Sequence, residues 1–359
     1  MTTAYGFIDL VSLYDQRVAQ VGEQRVYEAV QESAAEYNRV TNGLLAEFVE
    51  RTTIAQEQIE LPGDGTLQPL DENGNPMPVL PSGSYKVAYP IQGGGTAWGT
   101  NRVTRELLTV EEAERNTTDA LQRDADWMTR HMLAAIFDNA TWTYNDKVGV
   151  NGTKGLGDIT IQPLANGDTV TYTRRGGVAP ATDTHYLAQA GAIADATNPF
   201  PTIYSELKEH PSNNGRVLVY IPTNVKAAVM GLSGFIGVDS ADVIPGSNDD
   251  RVTNVPATGP GEEVIGYVDG CWIIVWSRLP DNYLIAKMEG KPILKMREYP
   301  AASVQGFFPE AHNVDGNHMV TRMIRYAGFG VYDRVGALVY RVSNGAYAIP
   351  TGFDAPLPA

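Results

Sequence analysis

The side chains able to do chemistry in this chain are scattered along it. Its five histidines (His131, His185, His210, His312, His318) form no close sequence pair apart from His312 and His318, and none carries the cysteines or the helical His partner of a zinc site. The single cysteine, Cys271, stands beside Trp272 in an apolar run, where a thiol packs as an inert core group. Asp71, Asn73 and Asn75 open like a calcium loop, but Pro76 occupies the glycine position and Ser82 the place of the bidentate glutamate, so they predict a turn. Gly149 to Gly155 sets one lysine among glycines without the Gly-Lys-Ser/Thr ending of a phosphate loop. Adjacent acids such as Glu262 and Glu263 read as solvated loop, because nothing in the sequence separates their pKa values. No catalytic residue, cofactor or metal is expected.

Composition narrows the classes further. The chain has 359 residues, 43% hydrophobic and 19% charged, enough for more than one packed core. A net charge of −15 (27 basic, 42 acidic residues) excludes a protein whose main work is gripping phosphate backbones. It suits a surface that lies beside nucleic acid without adhering to it. One cysteine allows no intrachain disulfide, and Met1 to Gly6 carries no basic, apolar leader. Assembly in a reducing cytoplasm is the expectation.

The elements that must position these residues are mixed α and β. Val26, Val30, Ala34, Tyr37, Val40, Leu44 and Phe48 recur at helical spacing between Glu23 and about Arg51. Thr109 with Glu112 forms a capping box that opens a second helix, predicted to run to about Trp142, roughly 45 Å long. Between them, Leu61 to Asn101 is rich in Gly, Pro and Asn yet carries Leu80, Tyr85, Val87, Tyr89 and Trp98. So long an arm cannot build its own core, and neighbouring copies of the chain are its expected home. Beyond Asn145 comes a Gly/Asn/Thr-rich excursion to Thr184, then predicted helices at His185–Ala196 and Pro201–Glu209 and a strand at Val217–Ile221. Strands are predicted at Val264–Val268, Trp272–Trp276, Tyr283–Met288, Ile293–Arg297, Val320–Tyr326, Phe329–Tyr332 and Ala337–Val342.

Several phrases in this order resemble the major capsid proteins of tailed bacteriophages, the Hong-Kong-97-like family. Leu107-Leu108-Thr109-Val110-Glu111-Glu112-Ala113 is similar to the entry of the family's spine helix, and Val217–Ile221 followed by Pro222-Thr223-Asn224 to its first A-domain strand and helix. Val264-Ile265-Gly266-Tyr267-Val268-Asp269-Gly270 with Ser277-Arg278-Leu279-Pro280 resembles the paired A-domain strands, and Arg325 to Asp333 the last strands. The resemblance implies an α+β capsid fold: N-terminal arm at 1–53, extended E-loop hairpin at 54–107, P-domain with spine helix and inserted loop at 108–215, A-domain at 216–310, and C-terminal strands returning to the P-domain at 311–359.

It also implies a structural protein of the virion and no enzyme: hexamers and pentamers of one subunit closing an icosahedral head around double-stranded DNA, assembled in host cytoplasm. Portal and scaffolding proteins, and a decoration protein outside the shell, are the implied partners. Leu80, Tyr85, Tyr89 and Trp98 are the expected inter-subunit anchors, aromatic residues being typical of buried contact centres. The glycines at Gly93 to Gly95 and Gly99 are expected to supply the flexibility that rings of five and six require. Some family members cross-link neighbours through a lysine and an asparagine, for which Lys86 and Asn344 are the candidates here. An encapsulin-like nanocompartment shell, and further off a carbohydrate-active or hydrolytic enzyme, stand as alternatives.

Overall fold

The Thr109–Glu112 cap forms as its spacing dictates. In the structure, a computed structural model that describes residues 3–45, 47–61, 67, 70–76, 83–98, 106–146, 157–238, 256, 262–313, 319–355 and 357, the Glu112 N–H donates to Thr109 Oγ1 at 3.2 Å and the Glu112 carboxylate accepts from the Thr109 N–H at 3.1 Å. The helix runs Val110–Phe137, about 42 Å by its rise per residue. It stops short of the predicted Trp142 because Asp138 turns to extended backbone. The N-terminal helix spans Glu23–Leu45 and packs beside it, with Val26, Val30 and Ala34 buried against Ala113 and Ala120.

In chain order the strands are β1 (Val49–Thr52), β2 (Gln56–Leu61), β3 (Gly83–Ala88), β4 (Gln92–Trp98), β5 (Trp142–Asp146), β6 (Gly157–Ile161), β7 (Tyr186–Ala188), β8 (Val217–Ile221), β9 (Ile236–Gly237), β10 (Glu262–Val268), β11 (Cys271–Trp276), β12 (Tyr283–Met288), β13 (Leu294–Arg297), β14 (Phe307–Asn313), β15 (Met319–Val331) and β16 (Ala337–Arg341). Seven form one sheet in the order β7-β16-β12-β8-β11-β10-β9. Its central strands are apolar at nearly every position because both faces are covered. Val217, Val219, Ile221, Cys271, Ile273 and Val275 face the helices Phe200–Lys208 and Lys226–Met230. Leu218, Tyr220, Trp272, Ile274 and Ile285 face the end of the long helix at Met132, Leu133 and Phe137.

A second sheet joins β1, β13, β15 and β14, with β4 also paired to β15. β15 is a single thirteen-residue strand where two strands separated by a turn are predicted. Its partners change along its length: β14 and β4 flank Met319–Ala327, and β13 takes over at Gly328–Val331. The buried Arg325 joins this strand to the long helix through paired bonds to Asp124, both 2.7 Å.

Three expectations need correction. His185–Ala196 is no helix: Tyr186–Ala188 is strand, held in parallel beside β16, and only Asp195–Thr197 makes a helical turn. Gly93–Gly95 are no flexible joint, since they lie in β4, where a Cβ on Gly94 would press on the Trp127 indole at 2.9 Å and one on Gly93 on the Tyr326 ring at 2.9 Å. Gly99 lies outside the described residues. The unit drawn at 311–359 is divided between the two sheets, because β15 packs on the long helix while β16 enters the seven-stranded sheet between β7 and β12.

Candidate assembly interface

The arm has a root that its own chain buries and a tip that it does not. At the root, β2 and β3 form an antiparallel hairpin in which Tyr85 and Val87 alternate inward while Lys86 points to solvent. Tyr85, Val87 and Tyr89 cluster with Leu61, Ala165 and Tyr172. Arg334, fully buried, lies between the two aromatic rings, 5.5 Å from the Tyr85 centroid and 5.9 Å from that of Tyr172. Its charge is met by Asp168 at 2.7 Å and by the Pro163 carbonyl, which accepts from Nε at 2.9 Å. Burial, with the charge of Asp333 adding, pushes the Tyr85 phenol far above its ordinary range, so it serves only as a neutral donor, to the Tyr332 carbonyl at 3.4 Å.

Tyr85 and Tyr89, expected as inter-subunit anchors, both turn inward and are almost wholly covered by their own chain. Trp98 is half-buried against the cluster that packs the N-terminal helix on the long helix. Leu80 lies outside the described residues. Lys86 and Asn344 are both exposed, the first on the hairpin root and the second in the loop after β16.

The tip is different. Leu67 is 95% exposed and Leu70 62%. Between them and the return strand, Asp71 closes the turn that its spacing predicts, accepting from the N–H groups of Asn73 at 2.9 Å and Asn75 at 2.7 Å. Ile54, at the start of the arm, is also exposed. A second open apolar strip lies on the 3₁₀ helix Tyr5–Leu13, whose three-residue turn lines up Tyr5, Ile8 and Val11 outside while Phe7 and Leu10 are buried. Sequence reasoning missed this strip, although the i, i+3, i+6 spacing of Tyr5, Ile8 and Val11 was its signal.

The arm returns to the body by a backbone crossing. A Cβ on Gly328 would run into the Pro90 carbonyl, and one on Gly330 into that of Ala88. The bare pair Gly328 and Gly330 lets residues 88–91 lie directly on β15. This fold, with a long helix behind a long strand, a projecting hairpin and a seven-stranded sheet, matches a chain from the structure of Mycobacterium phage Patience at TM-score 0.63, 20% identity and 90% coverage of each chain. The fold is the Hong-Kong-97-like one of tailed-phage major capsid proteins. Looser likenesses to this capsid fold are the bacteriophage PhiM1 mature capsid (TM-score 0.45, 9% identity, 82% of this chain and 84% of the other) and the virus-like particle from Pyrococcus furiosus (TM-score 0.42, 10% identity, 88% and 98%). No protein-family model matches the sequence, and no curated protein matches it.

The capsid fold also gathers side chains that the sequence leaves far apart. His185, just before β7, and His210, just after the helix Phe200–Lys208, bring their Nε2 atoms to 3.3 Å, and Asp183 Oδ2 lies 3.3 Å from the first and 2.8 Å from the second. Sequence distance hid this cluster; the Asp183-x-His185 alternation, which sets two such groups on one face of an extended segment, was its only local sign. His318 lies outside the described residues.

Proposed function

We propose that this chain is the major capsid protein of a tailed phage, and that it assembles into the hexamers and pentamers of an icosahedral head around double-stranded DNA. One observation carries the reading: a capsid fold with a finished core leaves apolar side chains standing outward at the hairpin tip (Leu67, Leu70) and along the N-terminal 3₁₀ helix (Tyr5, Ile8, Val11). Exposed apolar residues concentrated on projecting segments mark interaction sites. In this reading the hairpin is the E-loop, Val110–Phe137 the spine, and the far edge of the seven-stranded sheet the part nearest the capsomer axis.

The mechanism is geometric. Heterologous contacts between identical subunits close into rings only when the rotation fits. The arm tip and the N-terminal strip reach beyond the subunit and tie ring neighbours, each contact being modest and the number large. The acidic balance keeps packaged DNA close to the wall without adhesion. Portal, scaffolding and decoration proteins complete the assembly, which begins in host cytoplasm and ends in the virion.

The test is size-exclusion chromatography and negative-stain microscopy of the full chain, alone and from phage-producing cells. Rings or megadalton shells are expected, with nuclease-protected DNA inside those from phage-producing cells. A solitary subunit at every concentration and in both settings would sink the proposal. Shells filled with a folded protein cargo and no DNA would replace it by the encapsulin-like compartment.

A further inference from the structure

We propose that Asp183, His185 and His210 bind a divalent cation of the zinc class, with Glu209 as fourth ligand, and that this metal staples the excursion before β7 to the body of the subunit. The argument begins with the ring tautomers. His185 Nδ1 lies 2.6 Å from the Ala337 carbonyl and His210 Nδ1 3.2 Å from the Thr173 carbonyl. Carbonyl oxygens only accept, so in each ring Nδ1 carries a proton and Nε2 is the atom left to face Asp183.

Those two nitrogens meet each other at 3.3 Å and share Asp183 Oδ2 at 3.3 and 2.8 Å. The two Nε2 atoms and the carboxylate oxygen thus converge in a place where His185 and His210 are wholly buried and Asp183 nearly so. Two ring nitrogens and a carboxylate oxygen at this spacing repel one another unless a proton or a metal ion sits among them. A single cation bonded to all three atoms removes the repulsion.

The spacing has the scale of a metal site. Ligands held at about 2.0–2.1 Å from zinc stand roughly 3.3 Å apart along a tetrahedral edge. The Nδ1–H to carbonyl bonds are the outer contacts that metal-bound histidines make, fixing tautomer and ring direction. Glu209 Oε1 lies 3.8 Å from His210 Nε2, and Glu209 belongs with Asp183 to a second cluster of ligand-bearing groups. Arg174 holds this carboxylate from the solvent side at 3.2 Å. Two imidazoles with carboxylate oxygens select zinc-class ions over magnesium or calcium, which favour all-oxygen shells.

The cluster meets a groove at His210. A groove of about 430 Å³ at the arm root is lined by Tyr85, Tyr172, Thr173, His210 and Tyr332 among others. The ion would join three pieces of chain: the segment carrying Asp183 and His185, the end of the helix Phe200–Lys208, and, through the His185 ring, the start of β16 at Ala337.

The experiment uses the full chain, stripped with a strong chelator and titrated with zinc chloride. Uptake of about one equivalent and a thermal midpoint raised by several degrees are expected, together with the intense visible absorption of a four-coordinate site when cobalt chloride replaces zinc. His210→Gln and Asp183→Asn should lose the cobalt band and the zinc-dependent shift. Less than a tenth of an equivalent bound, with an unmoved midpoint and no cobalt band in the unsubstituted chain, overturns the proposal, and that measurement needs no variant to fold. A cluster stabilised only by acid, with metals inert, overturns it in favour of trapped protons. The readout is metal, so its failure leaves the shell reading untouched.

Discussion

The seven-stranded sheet and the arm both carry large apolar side chains, yet these end in opposite states. In the sheet, every residue of β8, β11 and β12 is buried, and helices or the other sheet cover each face. In the arm, Leu61 and Tyr85 are buried, whereas Leu67 and Leu70 stand in solvent. The difference lies in what each segment can reach. A strand flanked by strands meets cover on both faces, whereas Leu67 and Leu70, beyond the paired strands of the hairpin, meet little among the described residues. The sheet makes the subunit a folded body, and the arm leaves it unfinished.

The sharpest way to break the body is where β15 meets the long helix. Asp124→Ala strips the fully buried Arg325 of its bidentate partner and leaves it Glu298 at 3.8 Å and Asn38 Oδ1 at 3.2 Å, and is expected to cost about 3 kcal/mol, because the buried charge is then poorly compensated. Replacing both by apolar residues of similar volume should recover most of that loss in urea denaturation; an equal loss in the double variant would show that packing, not charge, holds the joint. Within the sheet, Ile274→Ala should lower stability by about 3 kcal/mol through a cavity that cannot collapse. An effect below about 1 kcal/mol at this wholly buried position would mean that the sheet is not the rigid body described.

A third prediction concerns acid. Burial, then Arg130, draws His131 down to about 4, while burial pushes Asp138 up to about 6 against the N–H of Ala140, with Asp354 adding to the rise. For His131, the unfolded chain takes up a proton below its ordinary 6.5 that the folded chain refuses, so stability falls as pH drops towards 4. For Asp138, the unfolded chain ionises above 3.8 while the folded chain stays protonated to about 6, so stability falls as pH rises through that window. The two slopes oppose each other. Asp138→Asn should leave the His131 slope alone, with stability rising by about 1.4 kcal/mol per pH unit between roughly pH 4 and 6. Denaturation midpoints across that range check it, and a flat profile in the variant refutes it.

The smallest expected effect on the subunit is the most telling for the arm. Leu67→Ser with Leu70→Ser should change subunit stability by less than about 0.5 kcal/mol, since neither side chain is buried. The same pair should lower the yield of assembled particles in sedimentation at least severalfold. Unchanged particle yield would remove the tip from the contact and leave the N-terminal strip as the place to look.

What the sequence displayed was whatever depends on near neighbours. The Thr109–Glu112 cap, the turn at Asp71 and the apolar runs of β8, β11 and β12 rest on contacts a few residues apart or on simple alternation, and each stands where its pattern put it. Partners distant in the chain were hidden. The glycines of β4 look flexible until Trp127 and Tyr326 are seen against them, and the inward turn of Tyr85 depends on Tyr172 and Arg334. His185–Ala196 carries helix-favouring alanines, but pairing with β16 overrides that preference. The His185–His210 cluster needed the helix Phe200–Lys208 to fold back first, which no local spacing reveals.

The crossing of residues 88–91 over Gly328 and Gly330 sets the bearing of the arm. Main chain rests on main chain at Gly328, and at Gly330 the Tyr89 ring shares the contact with the Ala88 carbonyl, so the lever's angle is set largely by the thickness of two peptide ribbons. Even one methyl group at Gly328 would wedge the ribbons apart and swing the far end through an arc magnified by the length of the hairpin. Shell curvature, in a particle built from this subunit, would then be gauged where the two ribbons touch over Gly328.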